Sequence, residues 1–260
     1  MPDPERGRLV VVGCGFQPSR HASQRSISEI ARAEVVFALT DAFALDWIAR
    51  HNRNLHDLSR FYADDRDRRA SYRDMQQAIV DEVRAGRRVC VVFYGHPGVF
   101  AQVGRKALAQ ARTDGFETAM EPGISAEACL YADLDLDPGE HGLQSLEATQ
   151  LLIEKRNIDP SALLLLWQIA QTGNLACTGF DARAEWLELL VDKLSRWYPR
   201  DHEVILYQAA TLPIQDFRAD RIGLVELPGA RISSATTLVV PPYGRPEPDR
   251  AVLERLRTLG

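Results

Sequence analysis

Short apolar runs alternate with helix-forming segments along this chain of 260 residues, and no other feature of the sequence constrains its fold as strongly. Residues 9–12, 35–39 and 89–93 consist almost entirely of apolar side chains, which is typical of strands buried on both faces. Between the last two runs, residues 72–85 repeat their apolar side chains at helical spacing. The alternation predicts an α/β fold with a mostly parallel sheet that is covered on both faces.

An acidic stretch that is rich in Pro and Gly interrupts this pattern and indicates two domains. We expect an N-terminal α/β domain over residues 1–133, a linker over 134–145, a C-terminal α/β domain over 146–243 and a tail over 244–260. Strands outnumber helices beyond the linker, which predicts a mixed sheet there. Further strands are expected at 116–120, 163–166, 204–207, 222–227 and 236–240, and further helices at 103–111, 127–131, 186–197 and 251–259.

Composition and charge exclude several classes of function. The formal net charge is −5 and no basic stripe stands out, so nucleic acid is not an expected partner. No segment approaches the roughly 20 apolar residues that span a bilayer, and the apolar stretch near the N-terminus is too short for a signal peptide. The four cysteines are scattered, and no histidine lies at metal-ligand spacing. We therefore expect a cytoplasmic protein with buried thiols, no metal site and no membrane partner.

Two of the apolar runs end in glycine-rich turns of the kind that α/β sheets use to hold ligands. The first continues into Gly13-Cys14-Gly15, but a dinucleotide fingerprint needs a third glycine where this chain has Pro18, so an NAD site is not expected. Another continues into Tyr94-Gly95-His96-Pro97-Gly98, where glycines let backbone approach a ligand and proline holds the bend. His96 is either a general base, since imidazole titrates near neutrality, or a turn residue bonded to backbone.

Three further polar residues lie at the ends of predicted elements. Ser125 is suited to cap the helix that follows it, where free backbone N–H groups can bind a polar ligand. Gln168 places a carboxamide at the end of a buried strand. Thr237 lies on the last predicted strand, where a β-branched residue is favoured by strand structure even without a ligand. Each position is compatible with a ligand site and with a purely structural role.

A charged segment in the first half of the chain combines an arginine with two tyrosines. Arg68 and Tyr72 are spaced i, i+4, which places them on one side of a helix, and Tyr62 lies in the preceding loop. A solvated helix start has the same composition. A tyrosine acts as a base only where its phenolate is favoured, and a neighbouring arginine favours it. Arg66 and Arg69 flank Arg68, so the helix register decides which arginine takes part.

Together these motifs resemble those of the borosin peptide backbone N-methyltransferases, a branch of the tetrapyrrole-methylase (class III) S-adenosylmethionine enzymes. The segments that carry the resemblance cover nearly the whole chain: YGHPGVFA, EPGISAEACLYADL, LLLWQIA, WYPRDHEV and VVPPY. The resemblance implies a two-domain tetrapyrrole-methylase-like fold with the cofactor in the cleft between the domains. The usual Pro-Gly-Asp continuation of the first loop is replaced by Phe16-Gln17-Pro18, which speaks against an ordinary porphyrinoid methylase.

The resemblance also implies a role for each candidate residue. One tyrosine would take the amide proton, the arginine would tune it and the other tyrosine would hold the amide oxygen, with the choice between the two tyrosines open. The residues implied to be catalytic are Tyr62, Arg68 and Tyr72. The residues implied to bind S-adenosylmethionine are Tyr94, His96, Val99, Ser125, Ala126, Gln168 and Thr237. The substrate-side loop is implied to contain Gly13, Gly15 and Phe16.

The activity that the resemblance implies is methylation of backbone amide nitrogens in a ribosomally made precursor peptide, with S-adenosylhomocysteine as the second product. Residues 244–260 are charged and contain no apolar core peptide, so we expect the precursor in trans, as in split borosins. The family also implies a homodimer, and a heterotetramer with two precursor chains. Two alternatives remain: a precorrin or uroporphyrinogen C-methyltransferase of the same fold, and a peptide-binding module without activity.

Overall fold

The computed structural model describes residues 7–63 and 66–260, and their contacts divide the chain into two units. The N-terminal unit comprises Met1–Leu136 and two later segments, Asn174–Gly179 and Gln208–Arg218. The C-terminal unit comprises Asp137–Gly173, Phe180–Tyr207 and Ala219–Gly260. Neither unit is therefore continuous in sequence.

The sheet of the N-terminal unit is parallel throughout, with strand order β3-β2-β4-β1-β5. Along the first strand, Leu9 and Val11 contribute to the core on one face, and Val10 and Val12 contribute to the core on the other. Successive side chains of a strand point to opposite faces, and here the side chains on both faces are apolar. This pattern is typical of a strand that helices cover on both faces. The strands are β1 (Arg8–Gly13), β2 (Val35–Leu39), β3 (Leu55–Asp57), β4 (Arg88–Phe93) and β5 (Glu117–Glu121).

Six α-helices of the described N-terminal residues surround this sheet. They are α1 (Pro18–His21), α2 (Gln24–Arg32), α3 (Ala42–His51), α4 (Arg68–Arg84), α5 (Gln102–Thr113) and α6 (Ala126–Leu134), with a 3-10 helix at Leu58–Phe61. Met75 of α4 and Val103 of α5 are buried on one face, and Ile30 of α2 and Ile48 of α3 on the other. Each such side chain contributes about 1.5–3 kcal/mol through its removal from water.

The C-terminal unit contains a mixed sheet with strand order β6-β7-β10-β8-β9. Its first pair is parallel, whereas β10 is antiparallel to both of its neighbours. The strands are β6 (Leu143–Glu147), β7 (Leu163–Trp167), β8 (Glu203–Gln208), β9 (Arg218–Gly223) and β10 (Thr237–Val240). The helices are α7 (Pro138–His141), α8 (Ala148–Ile153), α9 (Ala184–Leu194) and α10 (Arg250–Leu259), with 3-10 helices at Ile169–Gln171 and Leu224–Gly229.

The predicted fold class is confirmed, with a parallel first sheet and a mixed second sheet. The strand predicted at residues 222–227 is wrong: β9 ends at Gly223, and a 3-10 helix follows it. Leu224 and Leu227 are both fully buried and lie three residues apart, which suits a 3-10 turn, and the Glu226 carboxylate accepts a hydrogen bond from the backbone N–H of Gly223.

Two other predicted boundaries differ from the structure. Residues 134–145, expected to be a linker, contain α7 and the first residues of β6, because Asp137 caps α7 and β6 pairs with β7 along the sheet. Helix α4 begins at Arg68 rather than at residue 72, because the Asp67 carboxylate accepts a hydrogen bond from the backbone N–H of Arg69. Among the residues that the structure describes, no helix combines the length and apolar character needed to cross a membrane.

Candidate active site

The two glycine-rich turns predicted from the sequence lie side by side in the N-terminal unit. Strands β1 and β4 are neighbours and end in register, with Gly13 opposite Phe93. Beyond the strands, Gly15 and Gly95 exchange two backbone hydrogen bonds of 3.3 and 3.0 Å. Both glycines have positive φ, which most side chains disfavour. The carboxyl end of the parallel sheet thus presents two bonded loops, as the sequence predicted.

A third loop, which follows β5, packs against the first two without space for side chains. A Cβ atom at Gly13 would lie 2.4 Å from the carbonyl oxygen of Gly95, and a Cβ at Gly123 would lie 2.4 Å from the same oxygen. Both distances are far below van der Waals contact with backbone. Glycine is therefore required where these loops meet.

His21 holds the substrate-side loop and was not singled out from the sequence. Its Nδ1 atom accepts hydrogen bonds from the backbone N–H groups of Phe16 and Gln17, at 3.2 and 3.3 Å. Burial lowers the pKa of His21, and the positive charge of Arg20 lowers it further. The neutral imidazole is the form that can accept these bonds. A histidine within a short helix that follows a glycine turn is the only sequence signal for this role.

Tyr62, Arg68 and Tyr72, predicted to act together, lie together in the N-terminal unit. The rings of Tyr62 and Tyr72 meet edge to face with centroids 6.2 Å apart, and their hydroxyl groups are hydrogen-bonded. Both rings pack on the core formed by α4, α5 and the sheet. Arg68 is close enough for its charge to act on Tyr62.

The position of Arg68 distinguishes it from its two neighbours. Its side chain is only 7% exposed. Arg66 instead forms an exposed ion pair with Asp74, and Arg69 forms one with Asp67. Of the three arginines considered from the sequence, Arg68 is the one that α4 turns toward the tyrosines.

The acid–base state of Tyr62 differs from the expectation that the arginine favours its phenolate. Burial is the main cause that raises the pKa of Tyr62, and Tyr72, through its charge and its hydrogen bond, and Tyr94 raise it further. Arg68 lowers it, but with the smallest effect. The Tyr62 phenol therefore stays protonated at neutral pH and is suited to donate a hydrogen bond.

Tyr94, which the resemblance implied to bind the cofactor, lies near Tyr62. The centroid of its ring lies 5.9 Å from that of Phe16, and Tyr94 is close enough to Tyr62 to contribute to the raised pKa of Tyr62. Its side chain keeps 55% of its surface exposed. Burial of the hydroxyl group nevertheless raises its pKa, and Tyr72 adds to this effect. Tyr94 thus combines an exposed side chain with a hydroxyl group whose ionisation is disfavoured.

The other predicted cofactor residues of the N-terminal unit have local roles that the structure defines. The Nδ1 atom of His96 accepts a hydrogen bond of 2.9 Å from the backbone N–H of Gly98, which holds the turn. Val99 is exposed in the loop after β4. The Ser125 hydroxyl accepts a hydrogen bond from the backbone N–H of Ala128, 3.1 Å away, and so caps α6, whose first residue is Ala126.

Gln168 and Thr237, the predicted cofactor residues of the C-terminal unit, lie at one end of its sheet. In the antiparallel pair of β7 and β10, Leu166 lies opposite Leu238, so the end of β7 is next to the start of β10. Gln168 has a φ of 58°, a left-handed conformation that costs a residue with a side chain about 1–3 kcal/mol. Its half-buried carboxamide forms no hydrogen bond with any residue in the described ranges, which leaves a donor and an acceptor for a ligand.

The carboxamide of Gln168 has donor and acceptor groups that a polar ligand can match. Within residues 7–63 and 66–260, no three His, Cys, Asp or Glu side chains are grouped so that they could hold a metal ion.

The chain belongs to the family of Tetrapyrrole (Corrin/Porphyrin) Methylases, whose model matches residues 8–225. It is 21% identical to uroporphyrin-III-C-methyltransferase from Thermus thermophilus, with a TM-score of 0.65 over 91% of this chain and 94% of the other. It is 14% identical to the cobalt precorrin-4 methyltransferase CbiF, with a TM-score of 0.65 over 93% and 97% of the two chains. These enzymes share its fold.

Within this family the resemblance to borosin methyltransferases is confirmed. The chain is 33% identical to the methyltransferase/gymnopeptides precursor gymMA1 of Gymnopus fusipes over 98% of its own length. It is 35% identical to the methyltransferase/omphalotin A precursor ophMA of Omphalotus olearius over 97% of its length, and 35% identical to the type I borosin precursor mroMa1 of Mycena rosella over 91%. The chain spans 62, 62 and 60% of the lengths of these relatives.

Proposed function

We propose that this methyltransferase transfers methyl groups from S-adenosylmethionine to backbone amide nitrogens of a ribosomally made precursor peptide, supplied as a separate chain. The observation that carries the proposal is the cluster of Tyr62, Arg68 and Tyr72 in the N-terminal unit. The names of the relatives, which combine a methyltransferase with a cyclic-peptide precursor in one protein, support a peptide as the substrate.

The chemistry of an amide explains why two tyrosines and an arginine are needed. The nitrogen lone pair is delocalised into the carbonyl group, so the nitrogen is a poor nucleophile until its proton leaves and negative charge gathers on the oxygen. We assign Tyr62, which stays protonated, as the donor to that oxygen. Tyr72, the other tyrosine of the hydrogen-bonded pair, takes the amide proton. The positive charge of Arg68 stabilises the anion of the cluster.

We propose that the cofactor is held by Tyr94, His96, Val99, Ser125, Ala126, Gln168 and Thr237. When bound, S-adenosylmethionine supplies an electrophilic methyl group on a positively charged sulfur. The residues of this chain orient the amide nitrogen and remove its proton, and correct orientation alone can supply a large part of the rate.

The surface beside the tyrosines suits a peptide with apolar side chains. Tyr94, Val99, Phe100 and Ile124 all lie in the loops at the carboxyl end of the N-terminal sheet, and all four are exposed. Phe100 has a φ of 51°, a conformation that residues with side chains adopt mainly where function requires it. We propose that the side chains of Phe100 and Ile124 contact the peptide. We propose further that the working assembly is a cytoplasmic homodimer with two precursor chains, that is, a heterotetramer, whose mass light scattering of the purified mixture would measure.

Co-expression with a short peptide encoded beside the gene, followed by mass spectrometry of its fragments, tests the proposal. We expect fragment masses raised by one methylene group per transfer, located on backbone nitrogens. In the Tyr72→Phe variant the base is lost, and we expect the rate to fall about 10²–10⁴-fold while the cofactor still binds in calorimetry. Tyr198→Phe removes a buried hydroxyl in the C-terminal unit and serves as the matched control with unchanged rate.

Two outcomes would contradict the proposal. Full activity in Tyr72→Phe would remove this tyrosine from the role of base. Methyl transfer to the carbon atoms of uroporphyrinogen, with no modified peptide, would instead assign the chain to the tetrapyrrole enzymes of the same fold.

A further inference from the structure

The guanidinium group of Arg68 is held by a loop that lies more than a hundred residues later in the chain. The backbone N–H of Arg68 donates a hydrogen bond of 3.0 Å to the carbonyl oxygen of Cys177. One guanidinium nitrogen of Arg68 donates a bond of 2.8 Å to the carbonyl oxygen of Gly179. Both acceptors are neutral, so these bonds orient the guanidinium without cancelling its charge. They belong to the segment Asn174–Gly179, which groups with the N-terminal unit.

One side-chain bond and one backbone bond of Asn174 close this segment. The Asn174 Nδ2 atom donates a hydrogen bond of 2.6 Å to the carbonyl oxygen of Thr178, and the Asn174 carbonyl oxygen accepts one of 3.2 Å from the backbone N–H of Cys177. Asn174 is itself buried. Its two bonds close the segment into a tight loop.

The loop holds its two carbonyl groups in a backbone conformation that needs such support. Cys177 has a φ of 55° and Gly179 a φ of 63°, both in the left-handed region. Cys177 has a side chain, so this conformation costs about 1–3 kcal/mol and persists only where surrounding contacts impose it. The backbone carbonyl of Asn174 accepts from the N–H of Cys177, and the Asn174 carboxamide supplies the contact on the other side of Cys177, to the carbonyl oxygen of Thr178. The orientation of the carbonyls that Arg68 uses is therefore set by Asn174.

We infer that Asn174 is a positioning residue for Arg68, and through Arg68 for the pair of tyrosines. The catalytic consequence of this inference rests on the proposed function. Its structural content, that the Asn174 carboxamide fixes the Arg68 guanidinium, is independent of which substrate is methylated. Asn174 does not touch the reacting atoms, and its effect passes through the carbonyl groups of Cys177 and Gly179.

The test compares Asn174→Ala with Asn52→Ala, a matched control in the same unit. Asn52 also donates from its carboxamide to backbone, with bonds of 2.9 and 2.8 Å to the carbonyl oxygens of Ile30 and Ala33, but these bonds connect the end of α3 to α2 and do not involve Arg68. We expect similar losses in Tm for the two variants. Only Asn174→Ala should reduce kcat for peptide methylation, by about 10- to 100-fold as for other small displacements of a catalytic group. Its affinity for S-adenosylmethionine should remain that of the wild type.

Two further readouts separate positioning from general destabilisation. The pH profile of kcat in Asn174→Ala should shift its rising limb to higher pH, because a displaced guanidinium stabilises the tyrosine anion less. Asn174→Gln, which keeps the donor group, should recover part of the rate, whereas Asn174→Asp, which lacks the donor, should not. Equal kcat and an unchanged pH profile in Asn174→Ala and Asn52→Ala would overturn the inference.

A spectroscopic readout does not depend on activity. In ¹⁵N NMR spectra of the guanidinium groups, the Arg68 signal should move toward that of a freely rotating arginine in Asn174→Ala and stay in place in Asn52→Ala. If wild-type protein methylates no peptide while this shift is seen, the proposed function fails and the positioning role stands. If the Arg68 signal is the same in both variants, the positioning role fails whatever the wild type methylates.

Discussion

A single imidazole nitrogen accepts two backbone hydrogen bonds in the substrate-side loop. The Nδ1 atom of His21 accepts from Phe16 and Gln17, and the Cβ of His21 lies 2.2 Å from the point where a side chain on Gly15 would begin. Protonation would convert this acceptor into a donor facing two other donors. The shape of the loop is therefore linked to the charge on one residue.

We predict a loss of stability at acid pH that depends on His21. The pKa of His21 in the folded protein is lowered from 6.5. The contribution of His21 to the free energy of unfolding is therefore fully present above about pH 6.5, and it is lost as the pH drops toward the lowered pKa. In His21→Asn, whose carboxamide oxygen can accept the same bonds without titrating, the fall should be smaller. Urea denaturation at several pH values measures both proteins, and parallel pH dependences would contradict the prediction.

Single residues show where sequence patterns succeed and where they do not. The i, i+4 spacing of Arg68 and Tyr72 was sufficient to predict that they share one side of α4, because helical periodicity is a local property. The protonated state of Tyr62 could not be predicted, because it depends on burial by residues that are distant in sequence. The same holds for the bonds from Arg68 to the loop around Cys177.

At the scale of elements, three loops that follow β1, β4 and β5 meet at glycines that leave no room for a side chain. A methyl group at Gly123 would lie 2.4 Å from the carbonyl oxygen of Gly95, and backbone at such a junction cannot yield as a flexible side chain can. The loops that carry Phe16 and Tyr94 are held together by this contact. Changing it should therefore affect stability and site geometry together.

We predict that Gly123→Ala lowers the free energy of unfolding by about 1–3 kcal/mol, the usual cost of overpacking. Gly229→Ala is the control, because no atom lies within 4 Å of its added Cβ and its φ is negative. There the change should be neutral or stabilising by up to about 1 kcal/mol, since alanine restricts the unfolded chain. Chemical denaturation measures both variants. Equal effects would show that the loops adjust to the methyl group.

Elements were predicted best where apolar periodicity was strong. The valine-rich strands and helices α4 and α9 were found within a few residues, because burial of an apolar face decides them. Short elements such as β3, α1 and α7 were not predicted, because their sequences are too short for a periodic pattern to emerge. The residues 222–227 look like a strand by composition, yet Leu224 and Leu227 meet the core from a 3-10 helix.

At the scale of the whole molecule, stability at alkaline pH depends on tyrosines whose pKa burial raises, Tyr62 in the N-terminal unit and Tyr198 in the C-terminal unit. Tyr198 of the C-terminal unit is buried, and its hydroxyl has no hydrogen-bond partner among the residues that the structure describes. Burial raises the pKa of Tyr198 to about 12, and the negative charge of Asp159 adds to the effect. Between pH 10 and 12 the folded phenol keeps a proton that the unfolded chain releases, so stability falls as the pH rises.

We predict that Tyr198→Phe stabilises the protein at neutral pH by about 1–3 kcal/mol, because it removes a buried polar atom without a partner. Above pH 10 its advantage should grow, by up to about 1.4 kcal/mol per pH unit as one titrating group is removed. Denaturant titrations at pH 7, 10 and 11 measure the difference. A variant less stable than wild type at neutral pH would indicate that the hydroxyl is bonded after all.

The division of the chain could be only partly predicted from sequence, since the grouping of residues 174–179 and 208–218 with the N-terminal unit arises from long-range contacts. The acidic stretch near residue 137 does mark a change of unit. The two returning segments carry no composition that would set them apart, because they contribute backbone carbonyl groups, which every residue has, to side chains far away in the chain.

The segment Asn174–Gly179 has a consequence for how such proteins can be recombined. A gene fragment that ends at codon 136 would encode Arg68 without the carbonyl groups that receive its hydrogen bonds. A chimera between two relatives that exchanges the first half alone would join an arginine from one parent to a loop selected in the other. The two halves therefore cannot be exchanged independently, and a working exchange has to carry the segments Asn174–Gly179 and Gln208–Arg218 together with the first half.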